Sequence, residues 1–331
     1  MREFIQSLPK AELHVHLEGT LEPELSFELA QKNQIDLPYN TSADMIAAYD
    51  FHDLPSFLTI YYAAMKVLQT EDDFYQLTWQ YLQKAQADNI VYAELFFDPQ
   101  AHTSRGVSFD TVIKGIHRAQ VDAAQKLAVQ SQLIMCFLRD MSAESAMQHL
   151  VLSKPYQDWI IGVGLDSDEK DNPPMKFAEV FAKAKTMGYK LTMHCDVNQL
   201  DTLTNIEQCL HAIHVDRIDH GVNCLQNDQL WQEIKARGLG LTVCPVSNQF
   251  VVQSLTSAEV GEMLDKDLLV TINSDDPAYF RAYLTDNLVA LQKEGEFTQQ
   301  QMQTLIENAF KVAWLDDATK EKFLSQVKQA A

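Results

Sequence analysis

The chain has 331 residues, 46% of them apolar, and its 26 basic against 46 acidic residues give a formal net charge of −20. A surface this acidic repels phosphate backbones, which excludes nucleic acid as a general partner. We find neither a signal-peptide pattern nor a run near the roughly 18 apolar residues of a membrane span, and the five cysteines form no C-x-x-C pair, so we expect a reduced, cytoplasmic protein without a membrane partner.

Eight short apolar, partly β-branched runs recur along the chain, at 12–17, 91–99, 132–140, 160–168, 190–197, 217–221, 240–248 and 269–277. Helix-like stretches separate nearly all of them, most clearly 109–129, 177–187 and 229–237, where apolar residues repeat at helical spacing. Alternating strands and helices predict a parallel sheet. Eight repeats favour a closed (β/α)8 TIM-type barrel, with an open doubly wound sheet as the alternative.

The segment 18–90 is too long for a single crossover helix. It contains helical stretches at 24–32 and 74–87, which we interpret as extra helices after the first strand that cap the barrel mouth. The tail 296–331 is predicted to be helical and to pack outside the barrel. Because we find no internal repeat and no flexible linker, we expect residues 1–331 to form a single barrel domain.

Two histidines on the first run, His14 and His16, are separated by one residue. Residues two apart in a strand point to the same face, so both imidazoles can be directed at one point. Apolar neighbours indicate that the strand is buried, where two imidazoles need a cation or strong hydrogen-bond acceptors. A pair of this kind is weak evidence alone, and its value depends on what lies on the other strands.

Polar residues also end three later runs: His194 ends the fifth, His220 the sixth, and Asp275 with Asp276 the eighth. Each has an ordinary interpretation, since a lone buried histidine usually bonds a carbonyl and an aspartate before proline often caps a helix. Their shared position at strand ends is better explained by a site, because the C-terminal ends of barrel strands carry the reaction.

Several imidazoles and a carboxylate are the donors that a divalent, borderline metal such as Zn²⁺ prefers, and catalytic zinc keeps a position for water. We expect one Zn²⁺, with other divalent metals as alternatives. His220 is placed to take a proton from the water, and Asp276 is then free to hold substrate.

The motifs at 8–19, 217–221 and 274–277 resemble those of the adenosine/adenine deaminase family of the amidohydrolase superfamily, and the resemblance extends nearly end to end. Three further stretches, 96–100, 162–167 and 276–280, resemble the adenine deaminase branch.

The resemblance implies a ligand set for the zinc, namely His14, His16, His194 and Asp275. It also implies that His220 assists the water, that Asp276 contacts the purine N7 and that the backbone at Gly164 meets the far edge of the purine.

One motif departs from the family. Where the family has His-Ala-Gly-Glu, with a glutamate that protonates the purine N1, residues 194–197 are His-Cys-Asp-Val. Val197 cannot donate a proton, and the loss of a positioned acid typically costs about 10²- to 10⁴-fold in rate. Asp196 is the doubtful substitute, because it points to the opposite strand face unless the strand ends or bulges there.

The predicted activity is zinc-dependent hydrolytic deamination of a 6-aminopurine, with adenine giving hypoxanthine and ammonia. The alternatives are an aminohydrolase acting on N6-substituted adenines or on adenosine, a two-metal hydrolase in which Lys170 carries a bridging carboxylate, and a purine binder that kept the metal without catalysis. The sequence leaves the oligomeric state open.

Overall fold

Eight parallel strands follow one another around the sheet in the order of the chain. In the computed structural model, which describes residues 1–49, 51 and 54–331, they are β1 (Lys10–His16), β2 (Ile90–Phe97), β3 (Gln130–Leu138), β4 (Ile160–Asp166), β5 (Lys190–Cys195), β6 (Arg217–His220), β7 (Gly240–Val243) and β8 (Leu269–Ile272). A parallel bridge between Val15 and Asp275 joins the end of β8 back to β1. The predicted (β/α)8 barrel and all eight predicted strands are confirmed.

Helices follow the strands around the outside of the barrel. Over the described residues they are α1 (Arg2–Ser7), α2 (Pro23–Asn33), α3 (Ser42–Ala47), α4 (Leu54–Ala64), α5 (Glu71–Ala87), α6 (Pro99–Thr103), α7 (Phe109–Lys126), α8 (Ala143–Leu152), α9 (Ala178–Thr186), α10 (Thr202–Gln208), α11 (Asp228–Arg237), α12 (Pro245–Val252), α13 (Ser257–Asp265), α14 (Pro277–Phe280), α15 (Leu284–Gly295), α16 (Gln299–Val312) and α17 (Asp317–Ala330). None of these, within the described part of the chain, combines the length and apolarity needed to cross a bilayer.

The long insertion after β1 forms α2 to α5, as predicted. Phe57 and Tyr61 of α4 are buried, and both face the cavity at the barrel mouth. The C-terminal tail is helical as expected, and α16 packs against β8 and β1 on the outside of the barrel. The insertion therefore covers the end of the barrel that the sequence marks as reactive.

The strands β4 and β5 pair along part of their length. Their register joins Gly162 to Lys190 and Val163 to Leu191 and goes no further. Beyond those pairs the two strands separate, and β5 ends at Cys195. The residues that follow Cys195 therefore lie outside the strand, at the barrel mouth.

Candidate active site

The four residues predicted as metal ligands meet at the C-terminal end of the barrel. Ligand atoms of His14, His16, His194 and Asp275 all lie within 4.8 Å of one another. His16 Nε2 is 3.1 Å from His194 Nε2, and Asp275 Oδ1 is 3.3 Å from His14 Nε2. The closure of the barrel holds two of the strands together here, because the His16 amide donates to the Asp275 carbonyl at 2.9 Å.

Hydrogen bonds at Nδ1 orient two of these imidazoles. His194 Nδ1 donates to the Leu165 carbonyl at 3.1 Å, which leaves the Nε2 lone pair directed at the cluster. His14 Nδ1 lies 2.9 Å from Thr242 Oγ1, and the Thr242 hydroxyl donates to Asp219 Oδ1 at 3.0 Å. Because the Thr242 hydroxyl proton is donated to Asp219, Thr242 Oγ1 accepts a hydrogen bond from His14 Nδ1. His14 Nδ1 therefore carries the ring proton, and His14 Nε2 is unprotonated, like Nε2 of His194. Such outer partners are typical of metal-binding histidines.

The protonation states fit a divalent ion. Burial lowers the pKa of His14 and, together with the neighbouring imidazoles, lowers the pKa of His194 well below its usual value. Burial raises the pKa of Asp275, but His14 and the other imidazoles outweigh it and hold that pKa well below its usual value. His14 Nε2 is buried without a hydrogen-bond partner. Neutral imidazoles beside an ionised carboxylate are the donor set that zinc prefers.

Two residues of the site have an unusual backbone conformation. His220 has φ 57° and Asp275 has φ 65°, in the left-handed region that favours glycine. Such conformations persist where the surrounding structure fixes them, and they cluster at functional sites. Here they end β6 and follow β8 at the mouth, beside the cluster.

Asp196 and His220 form a hydrogen-bonded pair beside the cluster. Asp196 Oδ1 lies 2.9 Å from His220 Nε2. Burial lowers the pKa of His220, but the Asp196 carboxylate outweighs it and raises this pKa to about 9. The turn that carries Asp196 is fixed by a buried ion pair, in which Glu169 Oε1 accepts the Asp196 amide at 2.7 Å and Arg139 donates to the His194 carbonyl at 3.0 Å. The end of β5 thus brings Asp196 to the site.

This pair predicts that the stability of the metal-free protein depends on pH. The folded-state pKa of His220, about 9, lies above its ordinary value of 6.5, so folding favours the protonated form. The stabilisation is fully present below pH 6.5 and is lost as the pH rises through 9. At pH 6 we expect the chelator-treated wild-type protein to have a higher melting temperature than the chelator-treated Asp196→Asn variant. The difference in melting temperature should vanish above pH 9. A difference that stays constant over this range would contradict the pairing.

Asp276 is buried next to the cluster, and its Oδ1 has no hydrogen-bond partner. Burial and the neighbouring Asp275 carboxylate raise the pKa of Asp276 well above its usual value, which favours the neutral acid. Its position depends on Gly19, because a Cβ on that residue would lie 2.0 Å from Asp276 Oδ1. A neutral carboxyl at this place is a hydrogen-bond donor directed at the cavity.

A cavity that opens to solvent lies above the cluster. Its floor is formed by the cluster and the Asp196–His220 pair, and its walls are largely aromatic, with Phe51, Phe57 and Phe250 among them. The residues that line it, as far as the structure describes the chain, include no lysine or arginine. This combination suits a flat, uncharged ring and offers no counter-charge to a phosphate.

Comparison with known proteins places this geometry in a family. The sequence profile described as adenosine deaminase matches residues 9–330. An adenine deaminase of Psychrobacter cryohalolentis is 46% identical over 332 residues, which covers 100% of this chain and 99% of the relative. One from Vibrio parahaemolyticus is 45% identical over 331 residues, with 99% and 98% covered. The crystal structure of adenine deaminase from Arthrobacter aurescens has a TM-score of 0.93 at 42% identity and covers 97% and 98% of the two chains.

The chain belongs to the adenosine deaminase family. The resemblance predicted from the motifs is confirmed, and the protein is a metal-dependent hydrolase of the amidohydrolase type. Lys170, which a two-metal alternative requires as a bridging ligand, is exposed in the loop after β4 and is not among the residues that line the cavity.

The position of the family glutamate is occupied by Val197, which packs against the hydrophobic core and does not line the cavity. Asp196, one residue earlier, does line it. The condition stated for Asp196, an early end of the strand, is met because β5 ends at Cys195.

Val197→Glu is therefore expected to leave the preference among 6-aminopurines unchanged and to lower stability, because a carboxylate replaces a side chain packed on the core. Ammonia release from a panel of 6-aminopurines and a thermal melt measure the two effects, with Val197→Gln as the uncharged control of similar size. A changed substrate preference in Val197→Glu alone would show that position 197 reaches the ring.

The contact between the purine and the Gly164 backbone stays a prediction, and Gly164 is not among the residues that line the cavity. It is inside β4, and a Cβ on it would lie 2.6 Å from Cys136 Sγ, so its small size serves packing within the barrel. The β4 residues that line the cavity are Asp166 and its successor Ser167. They follow the rule that identified the other site residues, since they stand where a strand-like run ends, and so does Asp98 after β2. Sequence reasoning passed over all three.

Proposed function

We propose that this protein catalyses the hydrolytic deamination of adenine to hypoxanthine and ammonia, with Zn²⁺ held by His14, His16, His194 and Asp275. The observation that carries the proposal is the cluster itself, whose inward-facing nitrogens include a buried His14 Nε2 without a partner. Relatives 45% and 46% identical over nearly the whole chain are adenine deaminases. We also propose that residues 1–331 act as one domain, since the ligands come from the first and last strands of the barrel and from β5 between them.

A divalent ion bound here supplies a Lewis acid that makes water nucleophilic at neutral pH. The protein fixes where that water can act, because the cluster lies on the cavity floor and the aromatic walls leave a slot for a flat ring. A purine in this slot presents its C6 edge to the cluster.

Asp276 orients the ring. Its buried carboxyl favours the neutral form, so it donates a hydrogen bond to the purine N7, which is an acceptor. An ionised carboxylate at the same place would repel N7. The contact fixes which edge of the base faces the cluster, and the N1 side of the ring then faces the end of β5.

Asp196 and His220 move the proton. The water gives its oxygen to C6 and one proton to the pair, which delivers that proton to N1. The remaining hydroxyl proton passes to the amino nitrogen, the C6–N bond breaks, and ammonia leaves with the 6-oxo product formed. Because Asp196 lines the cavity and contacts His220 Nε2 at 2.9 Å, a single proton can be shared between them and the ring.

A second candidate is the deamination of N6-substituted adenines, favoured by the missing family glutamate and by the apolar walls above the cluster. A non-catalytic purine binder has less support, because binding alone requires neither the complete ligand set nor the Asp196–His220 pair.

Formation of the 6-oxopurine product by the zinc-loaded protein tests these candidates, because adenine and adenosine release ammonia whereas N6-methyladenine releases methylamine. The three compounds are compared by kcat/KM, and we expect adenine to exceed adenosine by at least about 100-fold, since the site must reject the sugar. A higher value for N6-methyladenine than for adenine would favour the second candidate. Tight hypoxanthine binding without 6-oxopurine formation from any compound would leave the binder.

A further inference from the structure

Two buried aspartates at the cavity take no part in the steps above. Asp98 follows β2 and Asp166 ends β4, and both line the cavity. They are 1% and 3% exposed. Two carboxyl groups buried together favour a form in which they share a proton, and any oxygen left without a partner remains costly unless a hydrogen bond satisfies it.

Each of the two carries an oxygen without a partner. Asp98 Oδ1 and Asp166 Oδ1 are buried and make no hydrogen bond. The other oxygen of Asp166, Oδ2, lies 3.5 Å from His16 Nδ1, on the far side of that imidazole from the cluster. The free oxygens are therefore acceptors available to a ligand in the cavity, and no lysine or arginine among the described lining residues competes for them.

Their place on the barrel rim determines which part of a purine they can reach. In the ring of eight strands, β2 lies opposite β6, which carries His220. Asp276, at N7, follows β8, and Asp196, at N1, follows β5. With these two edges assigned, the remaining edge of the purine, from N3 to N9, faces β2 to β4.

We propose that Asp98 and Asp166 form the subsite for the N3–N9 edge of a free purine base, in which a carboxyl oxygen accepts the hydrogen bond of N9–H. The inference rests on the proposed function and specifies its substrate class. A free base carries a hydrogen on its imidazole nitrogen, whereas a nucleoside carries a sugar there and cannot donate. The acid pair therefore selects bases over nucleosides by a hydrogen bond as well as by space.

The expected discrimination is large. A site built to hydrogen-bond an N–H group rejects the analogue that lacks it, typically by about 10⁴- to 10⁵-fold, because its buried polar groups are left unpaired. The subsite also adjoins α4, since the Tyr62 hydroxyl of that helix donates to Ser167 Oγ at 2.8 Å beside Asp166.

The same carboxyls with His16 also meet the geometric requirement for a cation, because one ligand atom from each lies within 4.8 Å of the others. The free oxygens can bind either a second cation or the N–H group of a base, but not both. Metal content distinguishes them: the proposal requires one zinc per chain, with the same value in Asp98→Asn.

The test compares adenine with 9-methyladenine, which differs by the loss of N9–H. In the wild-type protein we expect kcat/KM for adenine to exceed that for 9-methyladenine by at least about 10³-fold. In Asp98→Asn we expect adenine to lose about 10- to 100-fold, with 9-methyladenine changed less than about 3-fold, so that the ratio collapses. Asp140→Asn, an exposed aspartate on the same rim, is the matched control and should keep the wild-type ratio.

The outcomes separate the two proposals. If adenine yields no ammonia in the zinc-loaded wild type, the proposed function fails. The acid pair does not bind N9–H if adenine is turned over and 9-methyladenine is an equally good substrate. The same conclusion follows if the ratio of kcat/KM for adenine to that for 9-methyladenine is the same in Asp98→Asn and the wild type. Loss of a second metal equivalent in Asp98→Asn would assign the pair to a cation. A thermal melt and the zinc content of each variant exclude misfolding and metal loss as the cause.

Discussion

His16→Ala is expected to lose most of the bound metal and nearly all turnover. His16 Nε2 lies 3.1 Å from His194 Nε2 and 3.4 Å from Asp275 Oδ1, so its removal opens the centre of the ligand set. A catalytic metal supplies several kcal/mol of transition-state stabilisation, which corresponds to a fall in kcat/KM of about 10³- to 10⁴-fold. Zinc content by atomic absorption and ammonia release from adenine measure the two effects.

The control for this variant is His211→Ala, an exposed histidine on the outer surface. It should retain wild-type zinc content and activity. Normal zinc and full turnover in His16→Ala would refute the ligand assignment, because no other described side chain occupies its position in the cluster.

Asp196→Asn is expected to reduce kcat by about 10²- to 10⁴-fold while the metal stays bound. The amide keeps the size of the side chain and can still contact His220, but it cannot accept and return a proton. Because Asp196 is not in the ligand set, zinc content and the binding of hypoxanthine should change little. The signature is therefore a loss in kcat with a nearly constant affinity for product.

A matched control is Asp201→Asn, five residues further along the same loop and exposed. Its kcat should equal that of the wild type. A kcat within about 3-fold of the wild type in Asp196→Asn would exclude Asp196 from proton transfer, and the role would then belong to a group outside the β5 end.

Much of the site was predictable because its residues obey one rule of position. His14 and His16 lie two residues apart on a buried strand and therefore share one face, and Asp275 stands where the last strand-like run ends. Period-two alternation and the reactive end of a parallel barrel were sufficient to bring them together before any distance was known. The same rule covers Asp98 and Asp166, which shows that the signal was present there as well.

The rest depended on where individual strands end. Whether Asp196 or Val197 faces the cavity is decided at Cys195, where β5 ends together with its pairing to β6. The turn is fixed by Glu169, which accepts the Asp196 amide from a distant loop. Such tertiary contacts leave no local pattern in the sequence.

The seam between the first and last strands has a consequence for how the protein matures. The barrel closes through Val15 and Asp275, immediately beside the ligands His14 and His16. During synthesis the N-terminal histidines emerge early, yet their carboxylate partner arrives only when the eighth strand has left the ribosome. With the ligand set proposed above, a nascent chain has no complete ion-binding centre until its barrel closes, and we expect metal uptake to report the completion of folding.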